Sequence, residues 1–460
     1  MKKLQLYNSL SNSLEDFVPI EKNNVRMYVC GPTVYASPHI GNARPMVIFD
    51  VLFRLLKKIY QKVTYVRNIT DVDDKINARA RERSIALEEL TNEVIGELHK
   101  NMALLNLLPV SNEPRATFHI QEMLSIIQKL MDSGYAYASH GHILFRVRKM
   151  PNYGMLSKRS LDEMIAGSRV EVAPYKEDPM DFILWKPAED GSPSWDSPFG
   201  AGRPGWHLEC SAMSHKYLGE KFDIHAGGQD LMFPHHENEL AQNYGAFGHL
   251  MANYWVHNGM LLADGQKMSK SLGNIISLDE ILRQYDGEIV RYVLLGSHYQ
   301  KTLNWNQQAI SQAKRSLDRM YGALRLNNDE EQLEPEENDD DDKVLEALGS
   351  NLNTPLALHY LRQITEKIHE AGDPSVVRKL CRTLRRGAKL LGILERNCED
   401  WFPISSGEEI TECEIESLME ARRRAKNEKN FPLADQIRAQ LLEKNIKIED
   451  MKSGSIWSRK

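Results

Sequence analysis

The chain has 460 residues but only five cysteines and no long apolar run, and each shortage excludes a class of protein. Cysteines that are few, odd in number and widely spaced argue against a disulfide framework, so we expect a reducing compartment, the cytoplasm. No run approaches the roughly 18–20 apolar residues of a membrane span. Met1-Lys2-Lys3 is followed by no uninterrupted apolar segment, so we expect no signal peptide and no membrane association.

Length and charge set further limits. The chain is long enough for roughly two to four domains at about 100–200 residues each. Its composition, 42% hydrophobic and 27% charged, is that of an ordinary folded protein. The formal net charge of −6 gives no global sign of nucleic-acid binding, so such a partner needs a local basic face. Residues 421–460 hold eleven Lys and Arg against five Asp and Glu, although on composition alone a solvated basic helix explains them better.

The N-terminal region has the pattern of a parallel sheet. Val25–Val29 predicts a buried strand that runs into a turn at Cys30, and Val63–Val66 predicts a second strand. Apolar residues between them, from Val47 to Leu56, recur at helical spacing. Strand, loop, long helix and strand form a βαβ unit, which places ligands at the C-terminal ends of the strands.

Two short motifs indicate nucleotide binding. His39-Ile40-Gly41-Asn42 lies in the predicted strand-to-helix loop, and Lys267-Met268-Ser269-Lys270-Ser271 lies between two glycines. A helix N-terminus favours an anionic triphosphate, and two lysines on a glycine-flanked loop suit a leaving pyrophosphate. Taken singly, the first motif is explained by a capped helix start and the second by a solvated loop. Together and in this order they resemble the paired signatures of class I aminoacyl-tRNA synthetases, and no P-loop of the form GxxxxGK[ST] competes with them.

The resemblance assigns roles within the two motifs. Asn42 stands where the commoner signature has histidine, and an amide donates a hydrogen bond to phosphate but carries no proton charge. We therefore predict His39, Lys267 and Lys270 as the catalytic residues, with Asn42 joining them in ATP binding.

A second group of polar residues suggests a metal site. Cys210 precedes His235 and Glu239, which are four residues apart and follow Pro234, a residue suited to the first turn of a helix. A thiolate, an imidazole and a carboxylate form a zinc set, and Cys30 offers a fourth ligand. A polar helix start beside a buried cysteine remains the alternative, because no CxxC pair is present.

The same stretches resemble the motifs of cysteinyl-tRNA synthetases. The match takes in Cys30–Tyr35, Gly205–Met213 and Asp223–Glu239, and extends to Asn68–Lys75, Pro114–Thr117 and Ala434–Arg438. It spans essentially the whole chain. The resemblance implies ATP-dependent activation of cysteine to cysteinyl-adenylate and transfer of the cysteinyl group to the 3′ end of tRNA(Cys). It implies one zinc ion (Zn2+) per chain, with Mg2+ accompanying ATP, and a monomer.

The resemblance also implies which residues bind the amino acid and the metal. Cys30, Cys210, His235 and Glu239 would bind zinc, and the cysteine pocket would be lined by Gly31, Thr70, Trp206 and Asp230. His225, His236 and His257 would form an inner histidine shell. Zinc is thiophilic and lowers the pKa of a thiol, so it would select cysteine over serine without a separate editing site.

The C-terminal segment resembles the anticodon-binding module of the family, and this resemblance implies that the segment binds RNA. Four residues are candidates for base or backbone contacts: Asp435, Arg438, Asp450 and Trp457. Asn445 and Met451 stand where the family more often has Gly and Thr, which leaves the local turn geometry open.

We therefore predict an α/β fold with a Rossmann-like parallel-sheet catalytic domain, an inserted module, a helical bundle and a small C-terminal domain. The predicted ranges are 1–118 and 200–250 for the catalytic domain, 119–199 for the connective module, 251–306 for the stem-contact region carrying Lys267, 307–400 for the tRNA-binding bundle and 405–460 for the basic anticodon-binding domain. The acidic run from Asp329 to Asp342 is interpreted as a solvated loop.

Two other functions remain open. A related ligase that joins activated cysteine to a small amine would share the catalytic half, but the helical region and basic tail argue against it. A zinc-stabilised RNA-binding protein without activity is the second, and the intact His39, Lys267 and Lys270 argue against that.

Overall fold

The structure, a computed structural model, describes residues 4–167, 173–189, 191–268, 273–326, 342–402, 412–427, 430–451 and 454–459. The strands are β1 (Gln5–Asn8), β2 (Ser13–Asp16), β3 (Asn24–Val29), β4 (Lys62–Arg67), β5 (Ala136–Ser139), β6 (His142–Phe145), β7 (Phe182–Pro187), β8 (Gly202–Pro204), β9 (Phe222–Gly228), β10 (Ala252–Asn258), β11 (Leu261–Ala263), β12 (Gln266–Lys267), β13 (Leu303–Trp305), β14 (Ile446–Met451) and β15 (Gly454–Arg459).

The helices alternate with these strands in the first part of the chain and dominate after residue 306. They are α1 (Ile40–Ile59), α2 (Asp74–Arg83), α3 (Leu87–Leu104), α4 (Ile120–Asp132), α5 (Leu161–Gly167), α6 (Trp206–Leu218), α7 (Glu237–Phe247), α8 (Leu278–Gln284), α9 (Gly287–Leu295), α10 (Gln307–Arg325), α11 (Lys343–Gly349), α12 (Thr354–Glu370), α13 (Pro374–Leu391), α14 (Cys398–Trp401), α15 (Glu412–Asn427) and α16 (Phe431–Glu443). Among the described residues, none of these helices is long and apolar enough to cross a membrane.

The chain divides into two compact units. The first comprises Met1–Asn306 with Glu346–Thr354, and the second comprises Gln307–Leu345 with Pro355–Lys460.

The first unit is built on a parallel sheet with the strand order β10-β9-β3-β4. Every residue of β9 is buried except the last, as expected for a strand that is covered on both faces. Helix α1 connects β3 to β4 and buries most of its length against the sheet. The predicted βαβ unit and α/β fold class are thus confirmed. Strand β10 follows residue 250, so the sheet extends past the end of the range predicted for it.

Three smaller sheets belong to the described part of the first unit, of which the antiparallel pair β1-β2 is the first along the chain. An antiparallel sheet, β5-β6-β7-β8, lies between α4 and α6 in the chain. A three-stranded sheet, β12-β11-β13, follows the last strand of the parallel sheet, with β11 parallel to β13 and antiparallel to β12. Lys267 is therefore at the end of an edge strand.

The second unit is mainly helical. Its first helix, α10, spans Gln307–Arg325 and starts at the beginning of the range predicted for the helical bundle. After α15 and α16 the chain forms an antiparallel hairpin, β14–β15, whose register pairs Ile448 with Trp457. The predicted acidic loop, Asp329 to Asp342, lies outside the described residues except for Asp342.

Candidate active site

A cavity of about 460 Å³ opens at the C-terminal end of the parallel sheet. Its position is the one expected for ligand binding in a sheet of this type. Most of the predicted nucleotide and cysteine residues line it: Cys30, Gly31, His39, Asn42, Trp206, Asp230 and Lys267. Thr70, Cys210, His235 and Glu239 are buried next to it, and Lys270 lies outside the described residues.

His39 and Asn42 form the start of α1. The His39 backbone N–H donates to Asn42 Oδ1 at 3.0 Å, so the Asn42 oxygen caps the helix and its amide nitrogen remains as a donor toward the cavity. A Cβ on Gly41 would lie 2.9 Å from the His39 ring and 3.1 Å from Met268 Cε. The two signature motifs thus approach each other closely at a residue without a side chain.

The imidazole of His39 is half-buried in the cavity wall. Burial lowers its pKa and nearby Asp230 opposes that shift only in part, so His39 is largely neutral at pH 7. A neutral imidazole can donate a hydrogen bond into the cavity but adds no positive charge to it. Exposed Lys267, on β12 at the rim of the same cavity, supplies positive charge.

The predicted cysteine pocket is organised by Asn68, whose role the sequence analysis missed. Asn68 is fully buried. Its Oδ1 accepts from the Gly31 backbone N–H at 2.8 Å and its Nδ2 donates to Thr70 Oγ1 at 3.1 Å. Cys210 Sγ lies 3.6 Å from the same oxygen. A Cβ at position 31 would lie 1.7 Å from the Asn68 carbonyl oxygen, so only glycine fits between β3 and β4 here.

Trp206 begins α6 and stacks on the ring of His235, with centroids 4.3 Å apart and an interplanar angle of 19°. Asp230 is exposed in the opposite part of the cavity wall, in the short turn after β9. Both residues line the same cavity, which has Cys30 at its floor.

The four predicted metal ligands converge at this floor. One donor atom each from Cys30, Cys210, His235 and Glu239 lies within 4.8 Å of all the others. Glu239 Oε1 is 3.3 Å from Cys30 Sγ and 3.0 Å from His235 Nε2. Ligand bonds of about 2.0–2.3 Å in a tetrahedral zinc site imply donor separations of about 3.3–3.8 Å, so the donors lie close to the spacing that such an ion needs, with the Glu239–His235 pair slightly closer.

The electrostatics of these donors also suit a cation. Burial raises the pKa of Cys210, but contacts with Cys30 and His235 outweigh it and lower this pKa to about 6. Burial lowers the pKa of His235, but Glu239 and Cys210 raise it to about 10. The His235 imidazolium thus supplies the positive charge that balances the anionic donors, and a bound cation would replace its proton.

A second group of donors shares two of these residues. Cys30, His225, His236 and Glu239 also offer atoms within 4.8 Å of one another. His225 packs between Tyr28 and Trp255, and His236 Nδ1 lies 2.8 Å from His257 Nε2. Two of the three histidines predicted as an inner shell, His225 and His236, thus offer donor atoms beside Cys30 and Glu239, and His257 contacts His236.

His207, in the Gly205–Met213 motif, also contacts a candidate metal ligand, although no role was predicted for it. Its Nδ1 lies 3.0 Å from His235 Nδ1. Burial and the adjacent His235 lower the pKa of His207 to about 3, so it is neutral and accepts from His235 Nδ1–H. That hydrogen bond leaves His235 Nε2 pointing at Cys30 and Glu239, which is the orientation a metal ligand needs.

The start of the helix that carries His235 and Glu239 is as expected. Phe233 has an extended backbone with φ −137° and ψ 131°, and helical backbone runs from Pro234 into α7, so Pro234 lies in the first turn. His235 and Glu239 lie on one face of this helix, 3.0 Å apart.

The four candidate RNA-binding residues all belong to the second unit, where two are exposed and two have partners within the protein. Asp435 and Arg438 are exposed on α16. Asp450 instead accepts from both terminal nitrogens of Arg422, at 2.7 and 2.8 Å, and from Lys426 at 2.7 Å.

Trp457 also has partners within the second unit. Arg325 lies over its ring at 5.1 Å and over Phe402 at 5.2 Å. The Arg325 guanidinium also forms a double hydrogen bond to Glu399. Trp457 therefore packs against a paired cation and is half-buried.

The chain is similar to known proteins over most or all of its length. The family model for the "tRNA synthetases class I (C) catalytic domain" matches residues 16–315. The chain is 48% identical to the cysteine–tRNA ligase of Paramagnetospirillum magneticum, over 99% of both chains. It is 49% identical to that of Parvibaculum lavamentivorans, over 99% of this chain and 97% of the relative.

Solved structures show the same fold at low identity. Methionyl-tRNA synthetase of Mycobacterium tuberculosis, in complex with methionyl-adenylate, superposes with a TM-score of 0.58 at 14% identity, over 80% of this chain and 89% of that one. The full-length matches and the family model together define the relationship: the chain belongs to the cysteine–tRNA ligase family of class I tRNA synthetases.

Proposed function

We propose that the chain is a zinc-dependent cysteine–tRNA ligase. It would use ATP to convert cysteine to cysteinyl-adenylate and pyrophosphate, and then transfer the cysteinyl group to the 3′ end of tRNA(Cys). The observation that carries this proposal is the convergence of the two signature motifs and of the four thiol, imidazole and carboxylate donors on one cavity.

Activation would depend on positioning and electrostatics rather than on a covalent enzyme intermediate. The Asn42 amide and neutral His39 would donate hydrogen bonds to phosphate oxygens at the start of α1, where the helix dipole favours negative charge. Lys267 and Lys270 would neutralise charge that develops on the leaving pyrophosphate. Mg2+ would accompany the ATP phosphates.

Selection of cysteine would take place at the floor. When bound by Cys30, Cys210, His235 and Glu239, zinc would supply an acidic centre that favours a thiolate over a hydroxyl. Gly31 leaves room beside Cys30, and Asn68 holds Thr70 against the same wall. Asp230, exposed at the cavity wall, would bind the amino group of the substrate by charge.

The second unit would bind the tRNA. A cleft of about 360 Å³ between α10 and α12 is lined by Arg315, Arg319 and Arg362, with Glu366 as its carboxylate. Arginines are the usual partners of RNA phosphates. The predicted ranges for the bundle and for the C-terminal anticodon-binding domain remain part of this proposal.

Compartment and assembly are further parts of it. The free thiols of Cys30, Cys210, Cys381 and Cys398 favour the cytoplasm. We propose further that the chain acts as a monomer.

The decisive experiment is cysteine-dependent ATP–pyrophosphate exchange with pure, zinc-loaded protein. We expect exchange with cysteine and not with serine, and cysteinyl-tRNA when tRNA(Cys) is added. Exchange without a tRNA product would instead support a ligase for a small amine acceptor. Absence of both exchange and ATP binding, the latter measured by calorimetry, would support the inactive RNA-binding alternative.

A further inference from the structure

Arg44 is a fully buried arginine five residues after His39 on α1. Its exposed fraction is 1%, yet its partners are uncharged groups on two loops. The guanidinium donates to the carbonyl oxygens of Gly259 (2.8 Å), Met260 (2.5 Å), Lys301 (2.5 Å), His298 (3.4 Å) and Tyr299 (3.4 Å) and to the Ser297 hydroxyl (3.2 Å).

These two loops lead into the small sheet that carries Lys267. Residues 259–260 connect β10 to β11, and residues 297–301 connect α9 to β13. Strands β11 and β13 are hydrogen-bonded neighbours, and Lys267 on β12 pairs with Leu262 on β11. One side chain on α1 thus holds both chain segments by which this sheet is attached.

The opposite end of the signature loop is also attached to the start of α1. The Ile40 N–H donates to the Ile276 carbonyl at 3.1 Å, and the Leu278 N–H donates to the Pro38 carbonyl at 3.0 Å. His39 lies between these two hydrogen bonds. The position of Lys267 relative to His39 is therefore set on one side by backbone pairing and on the other by Arg44.

The chemistry of this cluster explains why arginine is needed. A guanidinium has donors in a rigid planar fork, so one group reaches carbonyls on two separate loops. Burial lowers the pKa of Arg44 to about 10, which leaves it charged at neutral pH. A lysine would keep the charge but has a single nitrogen, which cannot span both loops at hydrogen-bonding distance.

We propose that Arg44 is a positioning residue for adenylate formation, which fixes the place of Lys267 above the nucleotide cavity. The inference rests on the proposed function and deepens it by adding a residue outside both signature motifs. Arg44 touches no atom of the reaction and acts through the sheet β12-β11-β13.

The test compares Arg44→Lys with Arg291→Lys. Arg291 is 0% exposed and belongs to the same unit, but it binds Asp50 and the Leu105 carbonyl, away from the loops at 259–260 and 297–301. We expect Arg44→Lys to lower kcat for exchange about 10- to 100-fold, as for a small misplacement of a reacting group, with the KM for cysteine within about twofold. Each rate is divided by the concentration of active sites, determined by active-site titration of the folded protein, so that both variants are compared per active site. Arg291→Lys should then match wild type.

A double-mutant cycle separates positioning from general damage. If Arg44 acts through Lys267, the loss caused by Arg44→Lys should largely disappear in a Lys267→Ala background, because there is no lysine left to place. Equal losses in both backgrounds would overturn the proposal. Ser297→Ala, which removes one weaker contact at 3.2 Å, provides a milder variant if Arg44→Lys does not fold, with an expected loss of about two- to threefold.

A measurement without catalysis distinguishes failure of this inference from failure of the proposed function. Trypsin cleavage after Lys267, relative to cleavage after Lys444 in the other unit, should be about fivefold faster in Arg44→Lys because loosened attachment opens the strand locally. It should be unchanged in Arg291→Lys. Unchanged cleavage in Arg44→Lys would overturn the inference even if exchange activity is present, and faster cleavage would support the attachment even if exchange is absent.

Discussion

In the cavity of the first unit, charged and polar side chains face a common space, whereas in the C-terminal segment of the second unit they face one another. His39 and Asn42 at the start of α1 and Lys267 on β12 line one cavity. Asp450 and Trp457 come from a similarly polar stretch but are engaged by Arg422 and Arg325.

The difference teaches how to interpret a motif of charged residues. Groups held at the edge of a sheet by backbone geometry keep their hydrogen-bonding capacity for a ligand. Groups on the short β14–β15 hairpin, whose Ile446 and Ile448 share a small core with α15 and α16, are used to attach it. Asp450 and Trp457 therefore stabilise the segment, and Asp435 and Arg438 are the members of the predicted set that remain exposed.

The largest expected effect comes from the exposed lysine of the cavity. Lys267→Ala should lower kcat for exchange about 10²- to 10³-fold, the loss typical of one electrostatic donor to a transition state. Its melting temperature should stay that of wild type because Lys267 is exposed. Lys62→Ala, an exposed lysine at the start of β4, is the control. A loss below about threefold would mean that Lys267 does not meet the reacting phosphates.

Next in size is the effect of a metal ligand. Cys210→Ser should lower zinc content, measured by mass spectrometry, and raise the KM for cysteine together, because a ligand or its support is worth about 10- to 100-fold in metal affinity. Cys381→Ser, a buried cysteine of the second unit, should leave both unchanged. Stoichiometric zinc in Cys210→Ser would show that the ligand assignment is wrong.

A smaller effect is expected in the C-terminal segment, and on stability rather than catalysis. Asp450→Asn leaves the buried guanidinium of Arg422 without its carboxylate, which should cost about 1–2 kcal/mol after allowance for solvent at the exposed side of the pair. Thermal unfolding measures it, and exchange should not change. Glu449→Gln, which removes an exposed pair with Lys447, is the control, with a cost below about 0.5 kcal/mol.

The same pair predicts the sign of a pH effect. The Arg422 guanidinium holds the pKa of Asp450 well below its usual range. Its stabilising contribution is therefore complete above the unfolded pKa of about 4 and is lost as pH falls toward the folded pKa. Wild type and Asp450→Asn should converge in stability at low pH. A constant difference down to low pH would mean that the pair contributes nothing through charge.

The smallest effect should come from an exposed RNA candidate. Arg438→Ala should weaken tRNA binding a fewfold and reduce the slope of log affinity against log salt by about one, as for a single phosphate contact. Arg423→Ala, whose guanidinium already pairs with Glu420, should change the slope less. Equal slopes in the two variants would remove Arg438 from the contact surface.

The sequence predicts the catalytic half well because its functional residues are adjacent to strongly patterned elements. Cys30 directly follows a buried strand and His39 directly precedes a long helix, so local pattern is enough to place them. The partners of Asp450 and Trp457 could not be predicted in this way. Arg422 and Arg325 are 28 and 132 residues distant along the chain, and no local pattern shows which distant charges will neutralise each other.

Asn68 and Arg44 show a second limit. Asn68 has the form of a glycosylation sequon with Ile69 and Thr70, and Arg44 is one of several polar residues on α1. Each owes its role to burial and to backbone groups that come together only in the folded chain. Pattern analysis finds side chains that face ligands more readily than those that hold the protein's own backbone.

The placement of Cys30 has a kinetic consequence. Of the four donors at the cavity floor, Cys30 alone lies in the cavity wall, while Cys210, His235 and Glu239 are each at most 1% exposed. An ion would therefore enter or leave the site through the same cavity opening that would admit the substrate. A bound adenylate would close that route, so turnover itself would protect the enzyme from losing its metal to competing chelators.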